Sequence, residues 1–394
     1  MRVGFDAHSL GRRQTGNETY AAGLLHGFER IGFPLRAYAH DPPPGTSSMW
    51  RRMPDRSRWF RIAVDVPVAA GRDDLDVYHG VWALPPFTPC RTVVTIHDLT
   101  FLVNPDWFTR RGAAILRYSV GWAVKRAAHV IAVSERTKQD IVEWYGIPES
   151  RITVTLEAPR VSLMAQLDNF RRGYWTSTPA APWPLTLGSA EDSAWGGGAG
   201  ADRDGAAVPS ESGSGQGGYF LHVGNISRRK NVGTLVATLA MLRERGLGIP
   251  LVIAGQAGDA YGEVRALVGR LRLDDLVRFV GYVSDEQVAE LYRNCIAVVH
   301  PALYEGFGLT ALEGMAFGRP VLVADAGALP EVVGDAGLIL PPLEPEAWAD
   351  AMEGVTNWAR NQSLAHRGLQ RASAFSWERC AWKTVSVYRR VVGG

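Results

Sequence analysis

The chain has 394 residues, of which 46% are hydrophobic and 21% charged, so it has enough apolar material to form buried cores in two or three domains. Its 42 basic and 40 acidic residues leave a formal net charge of +2. This balance gives no sign of a nucleic-acid-binding protein, and any basic surface must be local.

Cysteines and apolar runs narrow the class of protein further. Cys90, Cys295 and Cys380 are odd in number and far apart, which favours neither a disulfide framework nor a metal-ligand cluster. The first residues lack the long apolar run of a signal peptide, and no later run approaches membrane-spanning length. We therefore expect a cytoplasmic protein whose contact with a membrane, if it has one, is peripheral.

Short apolar runs rich in β-branched residues alternate with longer amphipathic stretches, which is typical of parallel strands covered by crossover helices. In the first half the strand candidates are 2–5, 35–39, 77–79, 92–97, 130–133 and 152–155. In the second half they are 219–223, 251–254, 277–280, 297–300, 321–324 and 338–340. So many strands exceed what one open twisted sheet usually holds. The sequence predicts an α/β fold of two facing Rossmann-like, doubly wound domains with a cleft between them.

The predicted domains are an N-terminal one over 1–164 and a C-terminal one over 218–376, followed by a helix over 377–394. Between the domains, the segment 165–217 is rich in Gly, Ser, Ala and Pro. We interpret it as a flexible linker or disordered insertion, because it cannot bury enough apolar area to offset its chain entropy. The alternative is a mobile flap whose tryptophans stack on sugars, and low complexity favours the linker. Those tryptophans are Trp175, Trp183 and Trp195.

The C-terminal stretch has helical spacing of its apolar residues. Trp382, Val385 and Tyr388 are predicted to share one face of this helix.

Two features of the first half lie where α/β sheets bind ligands. Gly16 follows the first predicted strand and precedes an amphipathic helix, a position that permits close backbone approach but also suits an ordinary helix-entry glycine. His97 and Asp98 lie at the carboxyl end of a buried strand. Asp98 is placed to orient the imidazole or to start the next turn, and a plain strand-end pair is the alternative.

The segment 220–231 runs from a strand through Gly224 to a helix start that carries Arg229 and Lys230. Cations at a helix N-terminus oppose the helix dipole unless a bound anion compensates. The pair therefore indicates an anionic ligand, although a solvated basic helix end is the alternative.

The most informative segment is "HPALYEGFGLTALEGMAFGRP", which follows a buried strand. Its glycine loop consists of Gly306, Phe307, Gly308, Leu309 and Thr310. Backbone amides of such a loop at a helix start make an anion site that suits a diphosphate. Glu305 and Glu313 flank the loop with seven residues between them. Carboxylates accept hydrogen bonds from sugar hydroxyls, so one is expected to serve a hexose and the other a ribose diol.

Together these motifs resemble the retaining glycosyltransferases of family 4, whose signature is a glutamate, seven residues and a second glutamate around this loop. The resemblance covers nearly the whole chain except the Gly/Ser-rich segment, and the close subgroup resembles bacterial mannosyl- and rhamnosyltransferases. It implies a GT-B fold and hexose transfer from a GDP- or UDP-linked sugar such as GDP-mannose. The implied acceptor is a glycan or lipid-linked molecule of polysaccharide biosynthesis. No cofactor and no metal are expected.

The resemblance also implies residue roles. Arg229 and Lys230 would hold the donor pyrophosphate, His97 and Glu305 would lie at the donor sugar, and Glu313 would anchor the ribose. Gly16 and Gly224, with the loop 306–310, would approach the donor phosphates.

Two departures from the family pattern lie near this predicted site. Ser227 and Arg228 stand where relatives carry glutamate and proline, and Asn17, Glu18 and Thr19 replace isoleucine, glycine and arginine. They motivate an alternative, a catalytically silent nucleotide-sugar or glycan binding protein.

Two stretches, 49–64 and 106–126, interleave Arg and Lys with Trp and Phe. This mixture suits an anionic membrane interface, here the inner face of the cell membrane. In the favoured alternative the aromatic residues pack into the first domain and the arginines stay solvated.

Overall fold

The computed structural model describes residues 1–11, 15–40, 50–163, 165–166 and 218–394. Apart from residues 165 and 166, the predicted linker with its three tryptophans lies outside the described residues.

Within the described part of the first half, seven parallel strands form one sheet in the order β3-β2-β1-β4-β5-β6-β7. Their bounds are β1 Val3–Asp6, β2 Arg36–Ala39, β3 Trp50–Arg52, β4 Val77–Val81, β5 Arg91–Ile96, β6 His129–Ala132 and β7 Ile152–Val154. Sequence reasoning missed β3. It is an edge strand of three residues with two arginines, so it carries neither an apolar run nor apolar alternation.

The described second half forms a sheet of six parallel strands in the order β10-β9-β8-β11-β12-β13. Their bounds are β8 Tyr219–Val223, β9 Leu251–Ala254, β10 Val277–Gly281, β11 Cys295–His300, β12 Val321–Ala324 and β13 Leu338–Leu340. In both sheets the strand order reverses beside the first strand, which places crossover helices on both faces and opens a crevice at the carboxyl strand ends. The predicted pair of doubly wound α/β sheets is confirmed.

Helices alternate with these strands. In the first half they are Thr15–Arg30, Arg58–Phe60, Val66–Arg72, Thr100–Val103, Arg110–Arg126 and Glu135–Tyr145, with a π-helical turn over Arg61–Asp65. In the second half they are Val232–Glu244, Tyr261–Arg270, Asp285–Asn294, Leu309–Ala316, Leu329–Val333, Pro345–Gly354, Trp358–Ala372 and Trp377–Gly393. Within the described ranges, no helix combines the length and apolar character needed to cross a membrane.

The last helix, Trp377–Gly393, packs against the first, Thr15–Arg30. Close approach depends on two glycines of the first helix. A Cβ at Gly23 would overlap the indole ring of Trp377, and one at Gly27 would overlap the Trp377 carbonyl. The last helix is thereby packed on the N-terminal half of the molecule.

The prediction that Trp382 shares the buried face of the last helix with Val385 and Tyr388 is wrong. Val385 and Tyr388 are fully buried, and the Tyr388 hydroxyl lies 2.6 Å from Nδ1 of His79. Trp382, however, is 52% exposed. It lies about 100° around the helix from its neighbour Ala381, which takes the buried position instead.

The favoured packing of the basic-aromatic stretch 49–64 is wrong for two of its aromatic residues, although Trp50 is partly buried and packs against the core. Trp59 and Phe60 are 51% and 43% exposed, whereas Arg61 is buried. Arg61 is drawn inward because it pairs with the buried carboxylate of Asp6, at 2.9 Å between Nη1 and Oδ1.

Candidate active site

Every predicted site residue lines one cavity of about 870 Å³, which we call the main cavity. It lies between the carboxyl ends of the two sets of strands. The residues are Gly16, His97, Gly224, Arg229, Lys230, Glu305, Gly306, Phe307, Gly308, Leu309, Thr310 and Glu313. Residues from both halves therefore meet in a single crevice.

Glu305 is the centre of a charge cluster in this cavity. Its Oε1 atom lies 2.5 Å from Nζ of Lys230 and 2.9 Å from Nη1 of Arg229. Nε2 of His300 lies 3.3 Å from the same oxygen. These three contacts converge on the same carboxylate oxygen.

Burial and charge act in opposite directions on this cluster. Burial raises the pKa of Glu305, but the charges of Arg229 and Lys230 outweigh it, so this pKa lies well below its ordinary value. Burial lowers the pKa of Lys230 despite the opposing charge of Glu305. Burial also lowers the pKa of Arg229, but Glu305 and Asp98 more than offset this and the net shift is upward. The cluster is thus a carboxylate held between cations.

His300 links the charge cluster to the glycine loop. Burial lowers the pKa of His300, and Lys230 adds to this shift. In the neutral ring, Nε2 donates to Glu305 while the hydroxyl of Thr310 donates to Nδ1 across 3.1 Å. Thr310 lies in the first turn of the helix Leu309–Ala316, so the ring fixes the start of that helix relative to Glu305.

The glycine loop requires glycine at two positions. Gly308 has φ of +109° directly before the helix Leu309–Ala316, and a Cβ there would lie 2.7 Å from Leu329. A Cβ at Gly306 would overlap the backbone oxygen of His97 in the other half of the molecule. The backbone of Gly306 therefore lies directly against the backbone of His97.

His97 is oriented by a residue that sequence reasoning missed. Its Nδ1 donates to Oε1 of Glu157 across 2.9 Å, and Tyr20 packs edge-on against the ring at 4.7 Å between centroids. Nε2 of His97 is buried and has no hydrogen-bond partner among the described residues. Because His97 lines the main cavity, this nitrogen is available to a bound molecule.

Glu313 is more tightly held than expected. It is 1% exposed and accepts two bonds from Arg160, at 2.7 Å from Nε and 2.9 Å from Nη2. Tyr292 donates a third bond across 2.9 Å. Arg160 also reaches Asp285 at 2.6 Å. The carboxylate is thus fixed in one orientation, and its predicted role at a ribose stays a prediction.

Trp82 adds an aromatic wall beside His97. Its φ of +66° is costly for a bulky residue, and strained backbone of this kind occurs preferentially at functional sites. The indole Nε1 donates to Oδ1 of Asn17 across 2.9 Å, and the ring centroid lies 5.8 Å from that of His97.

The predicted position of Gly16 needs a correction. The helix begins at Thr15, so Gly16 lies within its first turn rather than in a loop before it. Among the described residues, no atom lies within 4 Å of a Cβ placed there, so crowding does not require glycine. Gly224, by contrast, has φ of +153° directly after β8.

Contacts across the crevice join the two halves. The Ser134 hydroxyl donates to the carbonyl of Gly306 across 2.7 Å. The carboxylate of Glu331 accepts from the backbone N–H groups of Glu135 at 2.9 Å and Arg136 at 3.3 Å, which caps the helix Glu135–Tyr145 from the other half.

A sequence signal existed for the missed residues of the first half. Glu157 and Arg160 follow β7, and Trp82 follows β4, so all three come after carboxyl strand ends. Their partners are far along the chain, however, and a single sequence does not reveal those pairs.

Within the described residues, no group of three or more His, Cys, Asp or Glu side chains is placed to hold a metal ion. The three cysteines are free thiols.

Two facing doubly wound sheets with a crevice between them form the GT-B architecture. Residues 209–368 match the family model for glycosyl transferases group 1, and residues 15–155 match the model for glycosyltransferase family 4. The chain belongs to glycosyltransferase family 4.

Relatives and solved structures agree with this membership. The Escherichia coli O-antigen chain mannosyltransferase B is 29% identical over 79% of this chain and 74% of its own length. Several other curated relatives match over only 37% to 44% of their own length. Sucrose-phosphate synthase from Thermosynechococcus elongatus is 18% identical, with a TM-score of 0.68 over 100% of this chain and 99% of that one. Anabaena HepE in complex with UDP-glucose is 16% identical, with a TM-score of 0.61 over 100% and 98%.

Proposed function

We propose that the protein is a retaining glycosyltransferase that moves a hexose, mannose or a similar sugar, from a nucleoside-diphosphate donor to a glycan or lipid-linked acceptor in polysaccharide biosynthesis. The observation that carries this proposal is the charge cluster of Glu305, Lys230 and Arg229, which lies beside the glycine loop and opposite His97. The name of the E. coli relative supports mannose and polysaccharide synthesis.

The charges and amides that line the main cavity favour one orientation of the donor. Its diphosphate lies at the amides of Gly308 to Thr310, where the helix dipole favours anions, and meets Arg229 and Lys230. The hexose then lies between Glu305 and His97, and the ribose near Glu313. When the phosphate binds, the ammonium group of Lys230 turns partly from Glu305 towards a phosphate oxygen.

The reaction breaks the bond between the anomeric carbon and the phosphate oxygen, and the electron pair leaves with the nucleoside diphosphate. The acceptor hydroxyl oxygen forms the new bond on the same face of the sugar, and its proton passes to the departing phosphate. Negative charge grows on the diphosphate in the transition state, so Arg229, Lys230 and the helix amides stabilise that state more than the ground state.

A panel of GDP- and UDP-linked hexoses tests the donor. The correct donor is expected to raise the Tm of the full chain, since a ligand that binds only the folded state stabilises it by mass action. Transfer of the sugar to an extract of polysaccharide acceptors is then measured by the release of nucleoside diphosphate. NMR of the product shows whether the anomeric configuration is retained.

The silent binding protein makes a different prediction in the same assay. Stabilisation by a nucleotide sugar without release of nucleotide in any acceptor extract would contradict catalysis. Inversion at the anomeric carbon would contradict the retaining mechanism alone. A requirement for added metal is tested by a chelator, and we expect turnover to survive it. The cytoplasmic location and a peripheral membrane contact stay predictions.

A further inference from the structure

A second cavity, of about 660 Å³, opens from the main cavity into the first half of the molecule, and we call it the side cavity. The two cavities share Asn17, Trp82, Asp98, Ser227 and Arg229. A molecule in the side cavity therefore lies next to the position proposed for the donor hexose. An acceptor has to occupy space that adjoins the donor hexose, and the side cavity provides such a space.

The lining of the side cavity is strongly basic on the side of the first half. Its charged residues are Arg56, Arg58, Arg61, Arg229, Asp98 and Asp259, with His8 beside them. Arg229 is already paired with Glu305, and Arg56 lies 3.6 Å from Asp65. Within the described residues, no ion pair joins Arg58 to a carboxylate.

Arg61 has an unused donor at this cavity. Its residue is 6% exposed, and its Nη1 is paired with Oδ1 of Asp6 at 2.9 Å. The other terminal nitrogen, Nη2, is buried and has no hydrogen-bond partner among the described residues. A buried guanidinium N–H without an acceptor is costly, so the arrangement favours an acceptor brought in by a ligand.

The carboxylate of Asp6 does not neutralise both Arg58 and Arg61. Asp6 accepts from Nδ1 of His8 at 2.7 Å through the same oxygen that holds Arg61. Burial raises the pKa of Asp6, but His8 and Arg61 outweigh it and the pKa lies well below its ordinary value. Burial lowers the pKa of Arg58, and the charge of Arg61 adds to this against the pull of Asp6. Asp6 thus balances one of the two positive charges of Arg58 and Arg61.

The local backbone also has features associated with function. The chain passes from the short helix Arg58–Phe60 into a π-helical turn that starts at Arg61, and such turns occur frequently at functional sites. Opposite, Trp82 presents its ring from a strained backbone, and Trp107 lines the same cavity. Aromatic faces of this kind pack well against sugar rings.

We propose that the side cavity binds the acceptor, and that Arg58 and Arg61 recognise an anionic group carried by it, a phosphate or a carboxylate, while Trp82 packs against its sugar ring. The inference rests on the proposed glycosyl transfer and adds the chemical class of the acceptor. Both sources of negative charge present oxygen atoms to a guanidinium fork in the same way.

Glucose 1-phosphate, glucuronate and glucose test the proposal, since they share a ring and differ in charge. Their binding to the full chain is measured by calorimetry with the main cavity blocked by the nucleoside diphosphate that raises Tm most. At least one of the anionic sugars is expected to bind roughly tenfold or more tightly than glucose, and high salt is expected to weaken it. The preferred one identifies phosphate or carboxylate as the group.

Three variants localise the effect. Arg58→Ala is expected to weaken the anionic sugar by roughly tenfold, since one charge-assisted contact is lost. Arg61→Lys keeps the charge beside Asp6 but loses the fork, so it too is expected to bind more weakly. Arg270→Ala removes an exposed arginine of the second half and serves as the control. Melting curves establish that each variant is folded.

Wild-type affinity in both folded Arg58 and Arg61 variants would overturn the proposal, and so would equal binding of all three sugars. It would also be overturned if Arg58→Ala lost only its co-sedimentation with phosphatidylcholine vesicles containing phosphatidylglycerol, because the arginine would then serve a membrane contact. Failure of every nucleotide to raise Tm would contradict the proposed function instead, whatever the anionic sugars do.

Discussion

Lys230 and Glu305 are largely buried and 2.5 Å apart, with side chains 13% and 12% exposed. At the scale of single residues, such a pair contributes little net stability, because the cost of removing both charges from water offsets their attraction. Its function is better understood as preorganisation: two cations are held at the glycine loop before any phosphate arrives. The pair is therefore a device for catalysis more than for folding.

Lys230→Ala is expected to lower turnover by roughly a hundredfold or more, because it removes a cation whose attraction strengthens as charge develops on the leaving diphosphate. Glu305→Ala is expected to lower it as much, because the carboxylate positions the hexose and holds Lys230 and Arg229 in place. Glu313→Ala is expected chiefly to raise the apparent KM for the donor. Steady-state kinetics with the donor found by thermal shift measures both.

Arg228→Ala is the matched control for these variants. Arg228 is the neighbour of Arg229 but pairs with Glu263 on the surface, where both side chains are more than half exposed. Near-normal turnover of both Lys230→Ala and Glu305→Ala at saturating donor, with unchanged melting curves, would show that the catalytic centre is assigned wrongly.

The sequence could predict residues whose chemistry is stated by a local motif, such as Glu305 beside its glycine loop. It could not predict partners that depend on the folded chain. Glu157 is 60 positions from His97, and Arg160 is 153 positions from Glu313. Only tertiary structure brings those pairs together.

At the scale of elements, strand prediction succeeded best in the second half. The bounds of β8, β9, β12 and β13 coincide with the apolar runs of the sequence. β8, β9 and β12 are buried along their whole length, so burial on both faces leaves an unbroken apolar signal. The prediction failed for the last helix at Trp382, which is exposed. Helical spacing alone does not indicate which of two neighbouring apolar residues faces the core.

The contact between the first and last helices gives a test of packing. Gly23→Ala is expected to destabilise the protein by about 1–3 kcal/mol, because the added methyl group overlaps the indole of Trp377 in a packed interface. The lowered midpoint of urea unfolding measures this loss.

Gly262→Ala is the matched control, since Gly262 is also helical and a Cβ there meets no neighbouring atom of the described chain within 4 Å. Alanine is the better helix former, so this variant is expected to gain up to about 1 kcal/mol. Stabilisation by both substitutions would contradict the close helix contact.

At the scale of the whole molecule, the two sheets were predictable from the number of strands, but the joint between them was not. That joint consists of isolated pairs, among them Ser134 with Gly306 and Glu331 with the helix Glu135–Tyr145. Each pair joins positions more than 170 residues apart, and a single polar residue at either position carries no sign of its partner.

Arg160 brings a positive charge to this joint, since it follows β7 and binds Glu313 and Asp285 of the second half. Burial lowers the pKa of Arg160, but Glu313 and Asp285 outweigh it and the net shift is upward. Arg160→Met is expected to lower the free energy of unfolding by about 3 kcal/mol, because it leaves the buried carboxylate of Glu313 without its counter-ion. The two halves are then expected to separate further, with a larger radius of gyration in small-angle scattering.

Two further variants make this prediction specific to the joint. Arg243→Met breaks an exposed ion pair with Asp275 inside the second half and is expected to leave the radius of gyration unchanged. Adding Glu313→Gln to Arg160→Met is expected to restore part of the lost stability, since a neutral amide needs no counter-ion, and a double-mutant cycle measures the coupling. If Arg160→Met keeps both the scattering profile and the unfolding midpoint of the wild type, Arg160 does not hold the two halves together, and the joint depends on its other contacts, among them Ser134 with Gly306 and Glu331 with the helix Glu135–Tyr145.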